Sequence, residues 1–341
     1  MDTETKIKLL SYLGKQILLE IDSSKYKGII NLSKEKNPWF TKSNVKNALL
    51  SIASSFLNYK KLNNWIKKYD INETKQSKKI GLTLAGNIPL VGFHDVLCVF
   101  ISNNISVIKM SSKDKVLLPF LLNELYNLNS NTKKYFQIID ERLEDFDAII
   151  ATGSNNSARY FEYYFKKYPN IIRKNRNSIA ILNGKENPEQ IKKLGKDIFS
   201  FFGFGCRNVS KIFVPENYNF DNFFENINNY EKIINHYKYA NNYTYNKGIF
   251  MSNNDPYFDN GFLLLKENTA IASPLSVLFY EKYKNENELK NIIEIHSDEI
   301  QVIVSDKKYD FETISFGITQ EPELWDYADN IDTMDFLTNI N

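Results

Sequence analysis

The chain has 341 residues, 43% of them apolar and 25% charged, with a formal net charge of +2. That length allows two domains with cores of their own, and the composition excludes a disordered or fibrous protein. The small net charge excludes a general nucleic-acid binder, and no apolar run reaches the roughly 20 residues of a membrane span. The charge is unevenly spread: residues 1–80 hold 16 lysines against 7 acids, whereas Glu321 to Asp335 hold six acids and no base. Lysines on helix faces ordinarily solvate the surface, with a smaller share available to hold an anionic ligand such as a nucleotide or coenzyme A. The opening Met1-Asp2-Thr3-Glu4-Thr5-Lys6 lacks the basic-then-apolar pattern of a signal peptide. Two cysteines, Cys98 and Cys206, make no disulfide framework, so a reducing cytoplasm is expected.

Residues 1–75 read as helices, with apolar residues at three- and four-residue spacing over Lys6 to Glu20 and Val45 to Tyr69 and a looser segment around Asn37-Pro38-Trp39. From Lys79 the pattern changes. Ile80 to Ala85 is a strand, Pro89 to Ile101 a helix, Ile105 to Lys109 a strand and Asp114 to Leu128 a helix. Tyr135 to Ile139 and Phe146 to Ala151 are strands, Ser157 to Tyr168 a helix and Ser178 to Leu182 a strand. A helical run from Ile191 to Phe202 leads to a Cys206 joint and the strand Ile212-Phe213-Val214, ended by Pro215. Further strands are expected near Phe262 to Leu265 and Gln301 to Val304.

Continuous apolar strands alternating with helices predict an α/β fold with parallel sheets covered on both faces. Ligands of such sheets bind beyond the carboxyl ends of the strands, where Gly86-Asn87, Lys109-Met110-Ser111-Ser112 and Thr152-Gly153-Ser154 fall. A GxGxxG fingerprint is absent. In Phe202-Gly203-Phe204-Gly205-Cys206-Arg207, the glycines permit close approach of the backbone to a ligand. A thiol at this helix-to-strand joint, with Arg207 beside it to favour the thiolate, is placed like a nucleophile. The competing reading is a small buried hydrophobe. His94, His236 and His296 have no partner at metal-ligand spacing, so no metal is expected; His296, beside acids, is a weak candidate proton donor.

The ordered set of segments over residues 75 to 335 resembles the aldehyde dehydrogenase superfamily, and within it the acyl-CoA reductases typified by the fatty acid reductase of bacterial bioluminescence. The resemblance implies two doubly wound parallel-sheet domains behind a helical N-terminal lead: residues 1–185 with the lead and an NAD(P)-binding domain, 186–310 as the catalytic domain, and 311–341 as a tail. Gly86-Asn87-Ile88-Pro89 stands where the superfamily has Trp-Asn-Phe-Pro, which implies that the Asn87 amide helps to form an oxyanion hole. Val107 to Ser112 stands at the cofactor segment, implicating Lys109, Ser111, Ser112 and Lys113. Thr152-Gly153-Ser154 matches a turn beside the cofactor phosphates, and Leu182-Asn183-Gly184-Lys185 is similar to the Leu-Gly-Gly-Lys segment, implicating Gly184. Cys206 then matches the nucleophile, and Phe316-Gly317-Ile318-Thr319-Gln320, with Trp325, is expected to approach the active site.

The departures from the superfamily pattern sharpen the expectation. Ile181 occupies the place of the glutamate that activates water, which favours reduction, or transfer to a thiol, over hydrolysis. Ser112 replaces the carboxylate that grips the ribose of NAD, which favours NADPH over NADH. Ala270 replaces a glutamate before Ser273-Pro274. The resemblance therefore implies NADPH-dependent reduction of an acyl thioester, acyl-CoA or an acyl-protein, with a fatty acyl group favoured, to the aldehyde through an acyl-cysteine. It leaves room for an acyl-activating enzyme as partner and for a homo-oligomer, with no nucleic acid and no membrane span. The alternatives are a cysteine-dependent acyltransferase or thioesterase on the same fold, and a non-catalytic partner of an acyl-activating enzyme.

Overall fold

The computed structural model describes residues 1–71 and 76–340. The last four residues of the helical stretch expected up to residue 75, and the final residue of the expected tail, lie outside these. The chain forms two compact units, Met1–Asn175 with Glu321–Asn341, and Arg176–Gln320. The sequence reading divides the chain after 185 and again after 310.

The first unit opens with helices α1 (Thr3–Glu20), α2 (Ser24–Lys36), α3 (Lys42–Ser51) and α4 (Tyr59–Ile66). Each starts at a side-chain cap: Asp2, Ser23, Thr41 and Asn58 accept backbone N–H groups of the first turn, a contact worth about 1 kcal/mol. Helix α2 lies in the stretch between the two expected helices, because it buries little more than Tyr26 and Ile30 and so carries a faint apolar period. The expected single helix from Val45 to Tyr69 is two. A π-helical turn at Ile52–Phe56 ends α3, and Asn58 caps a new start. The apolar spacing runs on across the break, so periodicity alone does not mark it.

Then follow β1 (Lys79–Thr83), α5 (Phe93–Ile101), β2 (Ile105–Lys109), α6 (Leu117–Leu128), β3 (Phe136–Ile139), β4 (Ala148–Thr152), α7 (Asn155–Phe165) and β5 (Asn170–Arg173). The five strands are parallel in the order β3-β2-β1-β4-β5. Strand β5 is a four-residue edge with only Ile171 and Ile172 to signal it, and the sequence reading has no strand there. The chain winds from β1 outward to β3, then returns to place β4 on the other side of β1. The crevice between β1 and β4 is therefore the topological switch point, where open α/β sheets take ligands. One apolar core joins Leu10, Leu13 and Trp65 of the lead to Ile80, Leu82 and Phe100, and to Leu324, Met334 and Leu337 of the C-terminal stretch.

The second unit holds β6 (Asn177–Ile181), α8 (Pro188–Phe199), β7 (Val209–Pro215), α9 (Asp221–Ile227), α10 (Tyr237–Ser252), β8 (Phe258–Asp259), β9 (Leu264–Glu267), β10 (Val277–Tyr283), α11 (Glu286–Ile295) and β11 (Ile300–Val304). Its sheet runs β11-β6-β7-β10-β9-β8, all parallel except β8. Strand β10 has no counterpart in the sequence reading. Helix α8 begins at a capping box, Asn187 with Gln190, and Pro188 follows the cap, a favoured start. A last helix, α12 (Thr333–Thr338), belongs to the first unit.

Candidate active site

In the first unit the expected cofactor residues gather along the carboxyl edge of the sheet. Thr83 at the end of β1 pairs with Lys109 of β2 and with Ala151 of β4, so the segments that follow these strands are neighbours. Gly86 packs on Ser111, whose Oγ would lie 2.5 Å from any Cβ placed at residue 86. Ser111 Oγ accepts the Lys113 N–H at 3.2 Å, and Ser112 and Lys113 are exposed. The Lys109 ammonium donates to the Glu141 carbonyl at 2.9 Å on the surface. Across the switch point, Thr152 ends β4 and the Gly153 N–H donates to the Arg173 carbonyl at 3.3 Å. Ser154 is the N-cap of α7, its Oγ accepting the Ser157 N–H. The first N–H groups of α7 thus open onto the edge, a setting that favours anions.

Asn87 lies in the turn between β1 and α5, half-buried, with no side-chain hydrogen bond among the described residues. Its amide does not serve to close the turn. A buried acid fixes that turn instead: Asp114 accepts the Leu90 N–H at 2.8 Å and the Leu117 N–H at 3.5 Å. Leu90 has φ 58°, a left-handed backbone that costs a non-glycine residue about 1–2 kcal/mol. Burial pushes the Asp114 carboxyl above its ordinary value, against these two N–H groups, which pull it down. It is the nearest acid to Ser112 in sequence, and its oxygens are taken by backbone N–H groups. The 109–113 segment itself holds no carboxylate.

In the second unit Cys206 stands just before β7, at the amino edge of the sheet, and is half-buried. The turn that delivers it is strained. Phe201 and Phe202 have φ 51° and 62°, followed by Gly203 at 87° and Gly205 at 98°. Two consecutive left-handed phenylalanines cost about 1–2 kcal/mol each, a cost that surrounding packing must hold and that clusters at functional sites. Phe202 lies on the His236 ring at 4.3 Å. The Cys206 carbonyl accepts from Ser178 Oγ at 3.0 Å, and the Asn208 N–H closes the turn onto the Gly205 carbonyl. Arg207 Nε donates to the Thr319 carbonyl at 2.5 Å, so the expected approach of the 316–320 segment to this loop is seen. Cys98, by contrast, is fully buried, and burial pushes its thiol up.

Gly184 does not lie with Cys206. Ser178, bonded to the Cys206 carbonyl, begins the β6 stretch whose other end leads through Leu182 to Gly184, so the two occupy opposite edges of the sheet. The Gly184 N–H, at φ 82°, is already taken by Glu186 at 3.1 Å, with the Asn183 N–H on the other oxygen at 2.6 Å. Ile181 is fully buried, paired with Phe213, toward the same far edge. Its apolar side chain therefore says nothing about water at the thiol. Of the histidines, His94 is held by the Leu324 carbonyl at 2.9 Å and burial lowers its pKa, while His296 sits on the surface beside Glu299. Trp325 is in the first unit with the Lys68 ammonium over its ring. Sequence reasoning missed Ser178 and Asp114; an acid followed by an apolar helix after a strand is the signal for the second.

The folds of solved aldehyde dehydrogenases match this chain. Aldehyde dehydrogenase 21 from Physcomitrella patens, solved with succinate, gives TM-score 0.68 at 13% identity, covering 90% of this chain and 74% of its own. A variant of aldehyde dehydrogenase C from Pseudomonas syringae, solved with NAD+ and octanal, gives 0.64 at 10% identity, covering 89% and 72%. Glyceraldehyde-3-phosphate dehydrogenase from Methanocaldococcus jannaschii, solved with NADP, gives 0.64 at 13% identity, covering 89% and 76%. Among curated proteins none matches the sequence. The fold is thus that of the aldehyde dehydrogenases. The sequence profile described as acyl-CoA reductase (LuxC) matches residues 19–229, more than half of the chain. The chain belongs to that family of oxidoreductases, and every expected site residue, from Asn87 to Cys206, falls within the matched span. Among the described residues no helix is long and apolar enough to cross a membrane.

Proposed function

We propose that the protein reduces an acyl thioester, with fatty acyl-CoA the favoured substrate, to the aldehyde, using NADPH and an acyl intermediate on Cys206. The observation that carries this reading is Cys206 itself: a half-buried thiol at the end of a strained turn, in a chain of the acyl-CoA reductase family. The Cys206 thiolate attacks the thioester carbonyl carbon, the S–C bond to coenzyme A breaks, and the thiolate of coenzyme A leaves with the acyl group now on the enzyme. The gain is chemical. An enzyme thioester keeps the carbonyl electrophilic, where a free carboxylate would not. Asn87 keeps, as part of the proposal, the oxyanion role that the family pattern gives it, and its uncommitted amide supports that role.

The carboxyl edge of the first sheet suits NADPH. Lys113, Ser112, Thr152 and the open first turn of α7 offer cationic and N–H or O–H donors, with Lys109 available at the cost of one exposed hydrogen bond. When bound, the cofactor would supply the hydride that the acyl carbon accepts; the S–C bond to Cys206 then breaks, releasing the aldehyde and restoring the Cys206 thiolate. The 109–113 segment carries two lysines and no acid of its own, and Asp114 is buried on backbone N–H groups, which suits a 2′-phosphate. Gly184, closed by Glu186 on the other unit, is left out of this cofactor proposal.

The test follows NADPH absorbance with a panel of acyl-CoAs and identifies the product. The wild type should consume NADPH and form aldehyde, Cys206→Ala should do neither, and Asn87→Ala should lower kcat by about 10²–10³. Acyl-CoA consumed with no NADPH oxidised would replace the reductase by an acyltransferase or thioesterase.

A further inference from the structure

Helix α8 carries an acid where its apolar face meets the core. Asp197, between Leu194 and Ile198, is 1% exposed, on a helix whose other buried positions are apolar or glycine. Its two oxygens take three hydrogens from one short segment: Oδ2 accepts the Gly317 N–H at 2.5 Å, and Oδ1 accepts the Thr319 N–H at 3.1 Å and the Thr319 hydroxyl at 2.8 Å. Thr319 is itself fully buried. Gly317 takes φ 90° to present its N–H, backed by the Lys193 side chain. The next carbonyl in this chain of contacts, that of Thr319, accepts Arg207 Nε at 2.5 Å. A buried carboxylate on the helix that leads into the strained turn is thus joined, through one residue, to the guanidinium next in sequence to Cys206. An acceptor here also satisfies three buried donors that an apolar residue would leave unpaired, so a readout at Cys206 is what separates positioning from stability alone. The charge of Lys196 acts on the carboxylate, and the carboxylate acts in turn on the Tyr230 hydroxyl from the following segment.

We propose that Asp197 is a positioning residue for Cys206: through Thr319 it fixes Arg207, and with it the charge and shape of the loop that presents the thiol. This rests on the reading of Cys206 as the nucleophile. A cation held beside a cysteine favours its thiolate, and one whose carbonyl anchor is loosened favours it less.

The experiment measures the rate of iodoacetamide alkylation of Cys206 against pH, by peptide mass spectrometry, in the full chain. The wild type, Asp197→Asn, Arg207→Gln and the double variant are compared. Loss of the neighbouring guanidinium shifts a thiol by about one pH unit, so Arg207→Gln should alkylate about five- to tenfold more slowly at neutral pH, with its profile displaced upward. Asp197→Asn keeps the guanidinium, and its lost negative charge would by itself lower the thiol; acting through Thr319 and Arg207, it should instead displace the profile upward, by less than Arg207→Gln. The double variant should be displaced no further than Arg207→Gln alone. Thr319→Val, which keeps the carbonyl and loses the hydroxyl contact, should shift the profile less and in the same direction; it serves if Asp197→Asn does not fold. A lowered melting temperature with an unmoved profile, or a double variant displaced by the sum of the singles, overturns the proposal. A wild-type Cys206 that takes up neither iodoacetamide nor an acyl group overturns the nucleophile reading instead.

Discussion

At the scale of single residues, the two cysteines show what separates a packing thiol from a presented one. Cys98 is sealed in α5 and Cys206 stands half-buried at the end of four left-handed residues within five positions. Gly86 has a role as definite. A Cβ there would meet Ser111 Oγ at 2.5 Å and Ser111 Cβ at 2.6 Å, so Gly86→Ala should cost about 1–3 kcal/mol, read from urea denaturation. Adding Ser111→Gly should restore much of the loss; a single variant as stable as the wild type would show that the turn yields freely. Asp114 makes a prediction with a sign. Burial raises its native pKa above the ordinary 3.8, so over the window from about that value up to the raised one the native state binds more protons than the unfolded. The stability this residue contributes is full below the window and falls as pH rises through it. The stability of the wild type relative to Asp114→Asn should therefore decline with rising pH; an increase would reverse the assignment. Cys206 was legible because glycines and an arginine surround it in sequence. The strain at Phe201 and Phe202 was not, since phenylalanine carries no signal for a left-handed backbone.

At the scale of elements, the stretch after Gln320 is part of the core of the first unit. A chain of hydrogen bonds runs from the Trp65 indole to the Tyr327 hydroxyl, on to Tyr69 and then to Asp332, each step 2.7 Å. Because Tyr69 gives its proton to Asp332, Tyr327 must give its own to Tyr69. Tyr327→Phe leaves the buried indole N–H without this acceptor and should cost about 1–3 kcal/mol, measured by denaturant midpoint. A change near zero would mean that the stretch is held by Leu324, Met334 and Leu337 alone. The sequence hinted at little of this, since six acids and few apolar residues read as a surface tail. Helix α2 and strands β5 and β10 were silent for different reasons. The first has a sparse apolar face and the second is four residues long. The third, Val277–Tyr283, has a run of only four apolar residues, Val277 to Tyr280, before Glu281 and Lys282, and without alternation a short apolar run does not declare its class.

At the scale of the whole molecule, the α/β class and its doubly wound sheets were legible because buried parallel strands are apolar runs with turn residues at their ends. The order of segments carried the family. Register was not legible, and it decides which residues share an edge: Ile181, read at the place of a water-activating glutamate, and Gly184, read as a cofactor residue, are carried by β6 toward the edge opposite Cys206. The central claim is the covalent one. Incubating the protein with an acyl-CoA in the absence of NADPH, then measuring intact mass and mapping the modified peptide, tests it most directly. The account predicts one acyl group on Cys206, absent in Cys206→Ala and discharged as aldehyde when NADPH is added. An unmodified Cys206, or an acyl group carried equally well by Cys206→Ala, would contradict it.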